Sequence, residues 1–192
     1  MAIERCIAIS GCSGSGKSTA LKIIAAEKFF VADFDSFSRK IIAENLQIQR
    51  KLEAIVGKKA FIDGQIDFKS IGNFFETNLN AEKIFEEWYQ PILGREIEKF
   101  LANLECEIIF ADVPFLAQKK IYNLFSEVWL IETTFENCCQ RIKARNNYGY
   151  DKIKYLIERS KVSDQIYKAA NKIIDNNGTL EEFSDKIRRN LK

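Results

Sequence analysis

The octet Gly11-Cys12-Ser13-Gly14-Ser15-Gly16-Lys17-Ser18 matches the pattern G-x-x-x-x-G-K-[ST] at every position. Glycines reach backbone conformations closed to other residues, so successive N–H groups of such a loop can turn inward around an anion. A helix starting at the loop adds the partial positive charge of its N-terminus. Lys17 is a mobile point charge able to reach the β- and γ-phosphates of a nucleoside triphosphate. The Ser18 hydroxyl is the expected Mg²⁺ ligand, with Thr19 beside it as the weaker candidate. The chemistry implied is triphosphate binding with Mg²⁺. A glycine-rich turn that merely opens a helix is the plainer reading, and three matched glycines followed by Lys-Ser argue against it.

Carboxylates and guanidinium groups supply the other candidates. Asp33 and Asp35 follow the apolar run Phe29-Phe30-Val31-Ala32, and Asp112 follows Cys106-Glu107-Ile108-Ile109-Phe110-Ala111. Carboxylates at strand ends lie on the edge where open parallel sheets bind ligands, the edge that also carries the phosphate loop. One of Asp33 and Asp35 can orient an acceptor hydroxyl or accept its proton, and Asp112 can hold Mg²⁺ through water. Helix capping for the pair and a solvated turn for Asp112 are the ordinary alternatives. Arg141 and Arg145, one helical turn apart and followed by the polar break Asn146-Asn147-Tyr148-Gly149-Tyr150, match a lid that closes cations over a transferring phosphoryl group. A solvated helix face explains them equally well.

The elements that must position these groups follow from periodicity. Cys6 to Ser10 is a short apolar run suited to a buried parallel strand, and Thr19 to Ala26 is helix-forming, so strand, loop and helix come in the required order. A helix follows Asp35 through Ser36 and Ser38. Helical periods dominate residues 45–104, broken by a turn at Phe61-Ile62-Asp63-Gly64-Gln65-Ile66-Asp67 and an aromatic segment from Phe68 to Phe75. This stretch reads as a helical insertion covering the acceptor site. Strands are expected again at Cys106 to Ala111, at Val128-Trp129-Leu130-Ile131 and at Lys172-Ile173-Ile174. Helices are expected from a Thr133–Glu136 capping box through Arg145, from Asp151 to Ala170, and from a Thr179–Glu182 capping box onward. Strands alternating with helices imply a parallel sheet in an α/β domain.

A chain of 192 residues suits one such domain. Its 46% hydrophobic and 29% charged residues are ordinary for a globular protein, and 29 basic against 27 acidic residues leave a net charge of +2. That balance favours neither nucleic acid nor a membrane as partner. No signal-like N-terminal pattern and no run approaching ~18 apolar residues is present, so a soluble cytoplasmic protein is expected. The five cysteines, without histidine or C-x-x-C spacing, read as reduced thiols, with Cys6 and Cys106 in core strands and Cys12 a tolerated variable position of the loop.

A phosphate loop alone does not separate a kinase from a GTPase, but no N-K-x-D quartet follows a late strand. On residues alone, a kinase for a nucleoside or nucleoside monophosphate and a nucleotide-binding regulatory module both stay open. Taken together, the loop Gly11 to Thr19, Asp33-Phe34-Asp35 followed by Arg39, Asp112-Val113-Pro114-Phe115-Leu116, the Arg141 and Arg145 spacing, and Ile174-Asp175-Asn176-Asn177-Gly178 resemble dephospho-CoA kinase over nearly the whole chain. The resemblance implies a three-layer P-loop kinase spanning residues 1–192, with a parallel sheet, a helical acceptor-binding insertion (45–104) and a small lid (146–166). It implies ATP and Mg²⁺, with dephospho-CoA as the small-molecule acceptor phosphorylated on its ribose 3′-hydroxyl. It also implies Asp35 as catalytic base supported by Asp33, Arg145 in the lid, and Asn176, Asn177 and Gly178 bordering the adenine. The chain departs from the family pattern at Gln90-Pro91, where His-Pro is usual, and at Asp67-Phe68, where Asp-Arg is usual. It departs again at Cys138 and around Ser160, where glutamine is usual. Lys69 is the cation next to the missing arginine and lacks its bidentate fork.

Overall fold

The computed structural model describes residues 3–113 and 119–192; Met1, Ala2 and the Pro114-Phe115-Leu116 part of the strand-end motif lie outside the described residues. In chain order the elements are β1 (Arg5–Ser10), α1 (Lys17–Ala26), β2 (Phe30–Asp33), α2 (Phe34–Glu44), α3 (Leu46–Val56), a 3₁₀ turn (Lys58–Ala60), β3 (Phe61–Ile62), β4 (Gln65–Ile66), α4 (Phe68–Thr77) and α5 (Leu79–Ala102). They continue with β5 (Ile108–Asp112), α6 (Lys119–Tyr122), β6 (Glu127–Glu132), α7 (Phe135–Asn146), α8 (Tyr150–Arg159), α9 (Asp164–Ala169), β7 (Lys172–Asp175) and α10 (Leu180–Leu191). They divide into two compact units, Met1–Phe34 with Leu101–Lys192, and Asp35–Phe100.

In the first unit the described strands form a five-stranded parallel sheet in the order β2-β5-β1-β6-β7. Its central strands are apolar on both faces, as a sheet covered by helices requires. Ile7, Ala8, Ile9, Ile109 and Ala111 of β1 and β5 are fully buried. One face packs α1 and α10 through Ala20, Leu21, Ile24, Phe183 and Ile187 against Ile7, Ile9, Phe110 and Trp129. The chain leaves β1 toward β2 on one side and leaves β6 toward β7 on the other. The C-terminal ends of β1 and β6 therefore flank the place where the connections diverge, where α/β sheets bind ligands.

The second unit is helical apart from the β3–β4 hairpin, in which Phe61 pairs with Ile66. Asn45 caps α3 by accepting from the Gln47 and Ile48 amides, and Asp67 caps α4 by accepting from Lys69. The interior is an aromatic ladder: the Phe75 and Phe85 rings stack at 5.9 Å, and those of Phe85 and Tyr89 at 5.4 Å. The Tyr89 hydroxyl donates to the Ser38 carbonyl at 3.1 Å and meets the Ser38 hydroxyl at 2.9 Å, which joins α5 to α2. Burial pushes the Tyr89 hydroxyl up to about 12.

Three sequence expectations are corrected. The helix after β6 is capped by Thr134, whose hydroxyl accepts from the Asn137 amide, and Thr133 is directed elsewhere. The single helix expected from Asp151 to Ala170 is two, α8 and α9. The break is enforced because the Ser163 hydroxyl accepts from the Ile166 amide and restarts the helix. Cys106 precedes β5 and is half-buried, because the sheet register begins at Ile108 opposite Arg5.

Candidate active site

The phosphate loop joins β1 to α1, and its shape is set by backbone. The Ser15 amide donates to the Cys12 carbonyl at 3.1 Å, and the Ala20 amide donates to the Gly16 carbonyl at 2.9 Å to begin the helix. Gly16, which caps α1, has φ 112°, in the left-handed region where a side chain is strained. Gly14 has φ 82°, and a Cβ there would lie 2.8 Å from the Cys138 carbonyl oxygen and 2.9 Å from its Cα, so α7 rests directly on the loop. The Lys17 ammonium donates to the Gly11 and Cys12 carbonyls at 2.9 and 3.3 Å, holding it across the loop mouth. Ser18, the second residue of α1, is exposed, and Thr19 is half-buried. Ser15 is fully buried, and among the described residues its hydroxyl has no hydrogen-bond partner.

Three neighbouring segments hold this loop. Arg141 of α7 donates through one guanidinium nitrogen to the carbonyls of Gly14 (3.4 Å) and Ser15 (3.2 Å), and through the other to the Asn176 carbonyl (2.8 Å). The Asn176 side-chain nitrogen donates to the Ser15 carbonyl at 2.7 Å, and Asn176 is 6% exposed. The Ser13 amide donates to the Ser160 hydroxyl at 2.7 Å, which donates in turn to the Leu156 carbonyl at 2.6 Å. The β6–α7 and β7–α10 turns meet at Asn177, whose side-chain oxygen accepts from the Thr133 hydroxyl (2.9 Å), the Thr134 amide (3.0 Å) and the Asn137 side chain (3.1 Å). Gly178 follows, and the Thr179–Glu182 capping box opens α10.

At the same sheet edge, Asp33 ends β2 and Asp112 ends β5, and the two are register partners. Asp33 is exposed and Asp112 half-buried. The neighbouring register pair is Ile9 with Asp112, so the Asp112 backbone lies beside the strand that feeds the phosphate loop. This edge can bind a chain of phosphates through loop amides and Lys17 and present carboxylates beside them.

The dephospho-CoA kinase (CoaE) family model matches residues 5–182, nearly the entire chain. The chain belongs to the dephospho-CoA kinase family. The dephospho-CoA kinase of Streptococcus agalactiae is 29% identical over 188 residues, covering 96% of each chain. Among solved structures, a Thermus thermophilus protein superposes with a TM-score of 0.78 at 20% identity, covering 98% of this chain and 97% of its own. The dephospho-CoA kinase from Campylobacter jejuni gives a TM-score of 0.63 at 21% identity, covering 97% and 95%. These likenesses share the α/β fold, and family membership makes the chain a kinase.

The candidate residues separate into groups. Gly11 to Thr19, Arg141 and Asn176 to Gly178 are joined by hydrogen bonds within the first unit, and Asp33 and Asp112 share its sheet edge. Asp35 is exposed in the first turn of α2 and belongs to the helical unit. Arg145 is exposed in the last turn of α7, and its Nε donates to the Asn146 side chain at 2.7 Å. Sequence reasoning missed Thr133, Thr134, Asn137 and Ser160 as supports of the site. Their partners lie 40 or more residues away for Thr133, Thr134 and Asn137, and 147 for Ser160, and no local spacing records such pairs.

Proposed function

We propose that the chain transfers the γ-phosphoryl group of ATP to the ribose 3′-hydroxyl of dephospho-CoA, giving coenzyme A and ADP. The family match over residues 5–182 carries this reading. The loop built by Gly14, Gly16 and Lys17 supplies the phosphate half of the site. In this mechanism the loop amides and Lys17 bind the β- and γ-phosphates and neutralise charge that grows on the transferring group. Lys17 is already restrained by two carbonyls and exchanges them for phosphate oxygens. Asp35 accepts the proton of the 3′-hydroxyl as the new P–O bond forms and the bond to the ADP oxygen breaks, and Asp33 is assigned a supporting role. Arg145, in the last turn of α7 where it enters the lid of residues 146–166, closes on the phosphates. Arg141 is already engaged with loop carbonyls and holds the loop in place.

The exposed Ser18 hydroxyl at the start of α1, helped by Asp112 through water, would hold a phosphate-bound Mg²⁺, which would offset phosphate charge. Among the described residues no group of three or more His, Cys, Asp or Glu could hold a metal, which suits an ion carried largely by the triphosphate. On the acceptor side, the Arg39 guanidinium lies 5.4 Å from the centroid of the Phe68 ring. A cation thus lies beside Phe68, which occupies the position where the family pattern has an arginine, and we assign Arg39 to the acceptor's phosphates.

The test is ADP release by the purified chain with ATP and Mg²⁺, with and without dephospho-CoA, and the mass of the product. Acceptor-dependent ADP with one added phosphoryl group on the ribose is expected. ADP release unaffected by dephospho-CoA, or transfer to a nucleoside monophosphate instead, would overturn the assignment.

A further inference from the structure

Two free cysteines 126 residues apart in sequence meet at the phosphate loop, with Cys12 Sγ and Cys138 Sγ 3.3 Å apart. Cys12 is the second residue of the loop, and Cys138 lies in the first turns of α7, fully buried in a cluster with Ile142, Ile153 and Ile157. A disulfide spans about 2.0 Å between sulfurs, so roughly 1 Å of movement would join the two. We propose that Cys12 and Cys138 form a reversible disulfide that ties the phosphate loop to α7 and closes the nucleotide site when the thiols are oxidised by a peroxide.

Access and reactivity both support the pairing. A cavity of about 410 Å³ is lined by residues Cys12 and Cys138 together with Ile131, Thr133, Phe135 and Ile157, room enough for a small oxidant beside Cys12. The Cys12 thiol is drawn down to about 7, first by the hydrogen bond from Cys138 and further by the Lys17 ammonium, with burial acting against both. Cys138 moves upward, because its proton is shared with Cys12 and its site is dry. Cys12 is therefore the sulfur that ionises more readily, and Cys138 the one that keeps its proton beside it. This is the arrangement of an attacking and a resolving cysteine.

The chemistry balances with hydrogen peroxide as oxidant. The Cys12 thiolate attacks one peroxide oxygen, an S–O bond forms, the O–O bond breaks, and the departing hydroxide takes a proton from solvent. Cys138 sulfur then attacks Cys12 sulfur, the S–S bond forms, the S–O bond breaks, and the leaving hydroxide takes the Cys138 proton. Two thiols lose two electrons, and peroxide becomes two waters. A dithiol reverses the change by exchange through a mixed disulfide.

The consequence for the loop follows from its contacts. The Cys12 carbonyl accepts from the Ser15 amide and from Lys17, so displacing Cys12 disturbs the turn and the resting place of the lysine. Gly14 already touches the Cys138 backbone, where even a Cβ would not fit, so the loop cannot approach α7 as a rigid body. The movement falls on the Cys12 backbone and re-aims the amides that receive phosphate. Bound nucleotide, which holds those amides in place, protects the pair.

The test treats the full chain with hydrogen peroxide, with and without ATP, blocks remaining thiols, and follows intact mass, peptide maps and binding of a fluorescent ATP analogue. Expected is the loss of two hydrogens, a linked Cys12–Cys138 peptide, an affinity lowered about tenfold or more, recovery with dithiothreitol, and slower linkage when ATP is present. C138S should form no link and, with no partner thiol to trap the sulfenic acid, be carried on by excess peroxide to the sulfinic acid at Cys12, which dithiothreitol does not reverse, while C139S should behave as the parent chain. If C138S does not fold, the wild-type peptide map and ATP protection decide alone. Oxygen addition without a link, a link between other cysteines, or a linked protein that binds the analogue normally would overturn the proposal. Because none of these readouts requires dephospho-CoA, they stand or fall separately from the acceptor assignment.

Discussion

The two units build their share of the chemistry in opposite ways. In the sheet unit, the groups proposed to receive phosphate are backbone amides, and side chains such as Arg141, Asn176 and Ser160 serve the loop by bonding to its backbone at 2.7 to 3.2 Å. In the helical unit, the buried side chains make a framework of stacked rings, while the candidate chemical groups Asp35 and Arg39 stand exposed on the surface of α2. A phosphate cradle must be complete before the ligand arrives, since a misdirected amide binds nothing. An acceptor surface needs only a rigid helix carrying accessible side chains.

The largest effect tests the exposed carboxylate. Asp35→Asn should lower kcat about 10²–10⁴-fold with ATP affinity unchanged; a loss below tenfold would remove the base from the helical unit and break the contrast. Phe85→Ala, which empties the centre of the aromatic ladder, should cost about 3–5 kcal/mol in thermal or denaturant unfolding. Nucleotide binding by the protein that remains folded should be retained. Lys17→Met should reduce kcat about 10²–10³-fold, as loss of one charge-stabilising donor does, and here nucleotide affinity should fall with it. Equal retention of affinity in the Lys17 and Asp35 variants would erase the division of labour between the units.

Smaller changes sharpen the comparison. Arg141→Lys keeps the charge but loses the fork that reaches the Gly14, Ser15 and Asn176 carbonyls. It should weaken ATP binding by about 1.5–3 kcal/mol with the Tyr89–Ser38 junction undisturbed, measurable by calorimetry. Alkylation of Cys12 by iodoacetamide should rise with pH through a midpoint near 7, against 9.0 for an ordinary thiol. The folded state favours the anion, so its stabilising contribution is complete above the ordinary value and fades as pH falls through about 7. Lys17→Met should move that midpoint upward, because it removes the nearby positive charge.

Much of the site was legible because its signals are local. Gly14, Gly16 and Lys17 lie within one loop whose conformation their own types require, and Thr179 with Glu182 announces its helix across three residues. The two-helix course of residues 150–169 was hidden, since Ser163 is one polar residue in a helix-favouring stretch and acts as a stop only when its hydroxyl takes the Ile166 amide. Thr133 and Thr134 present the same local chemistry. Only the nearness of Asn177 sends the first to the neighbouring turn and leaves the second to cap α7.

By itself, the sequence determined the alternation of buried strands with helices, the phosphate loop and the family, because periodicity, glycine conformation and motif spacing are properties of short segments. Tertiary structure alone decided that Arg141 grips the loop while Arg145 stays exposed, that Asp33 and Asp112 share a sheet edge, and that Cys12 faces Cys138. Each of these depends on groups 35 or more residues apart being packed together, apart from Arg145, whose bond is to its chain neighbour. Such distances are set by how helices lie on the sheet, which no spacing within a segment encodes.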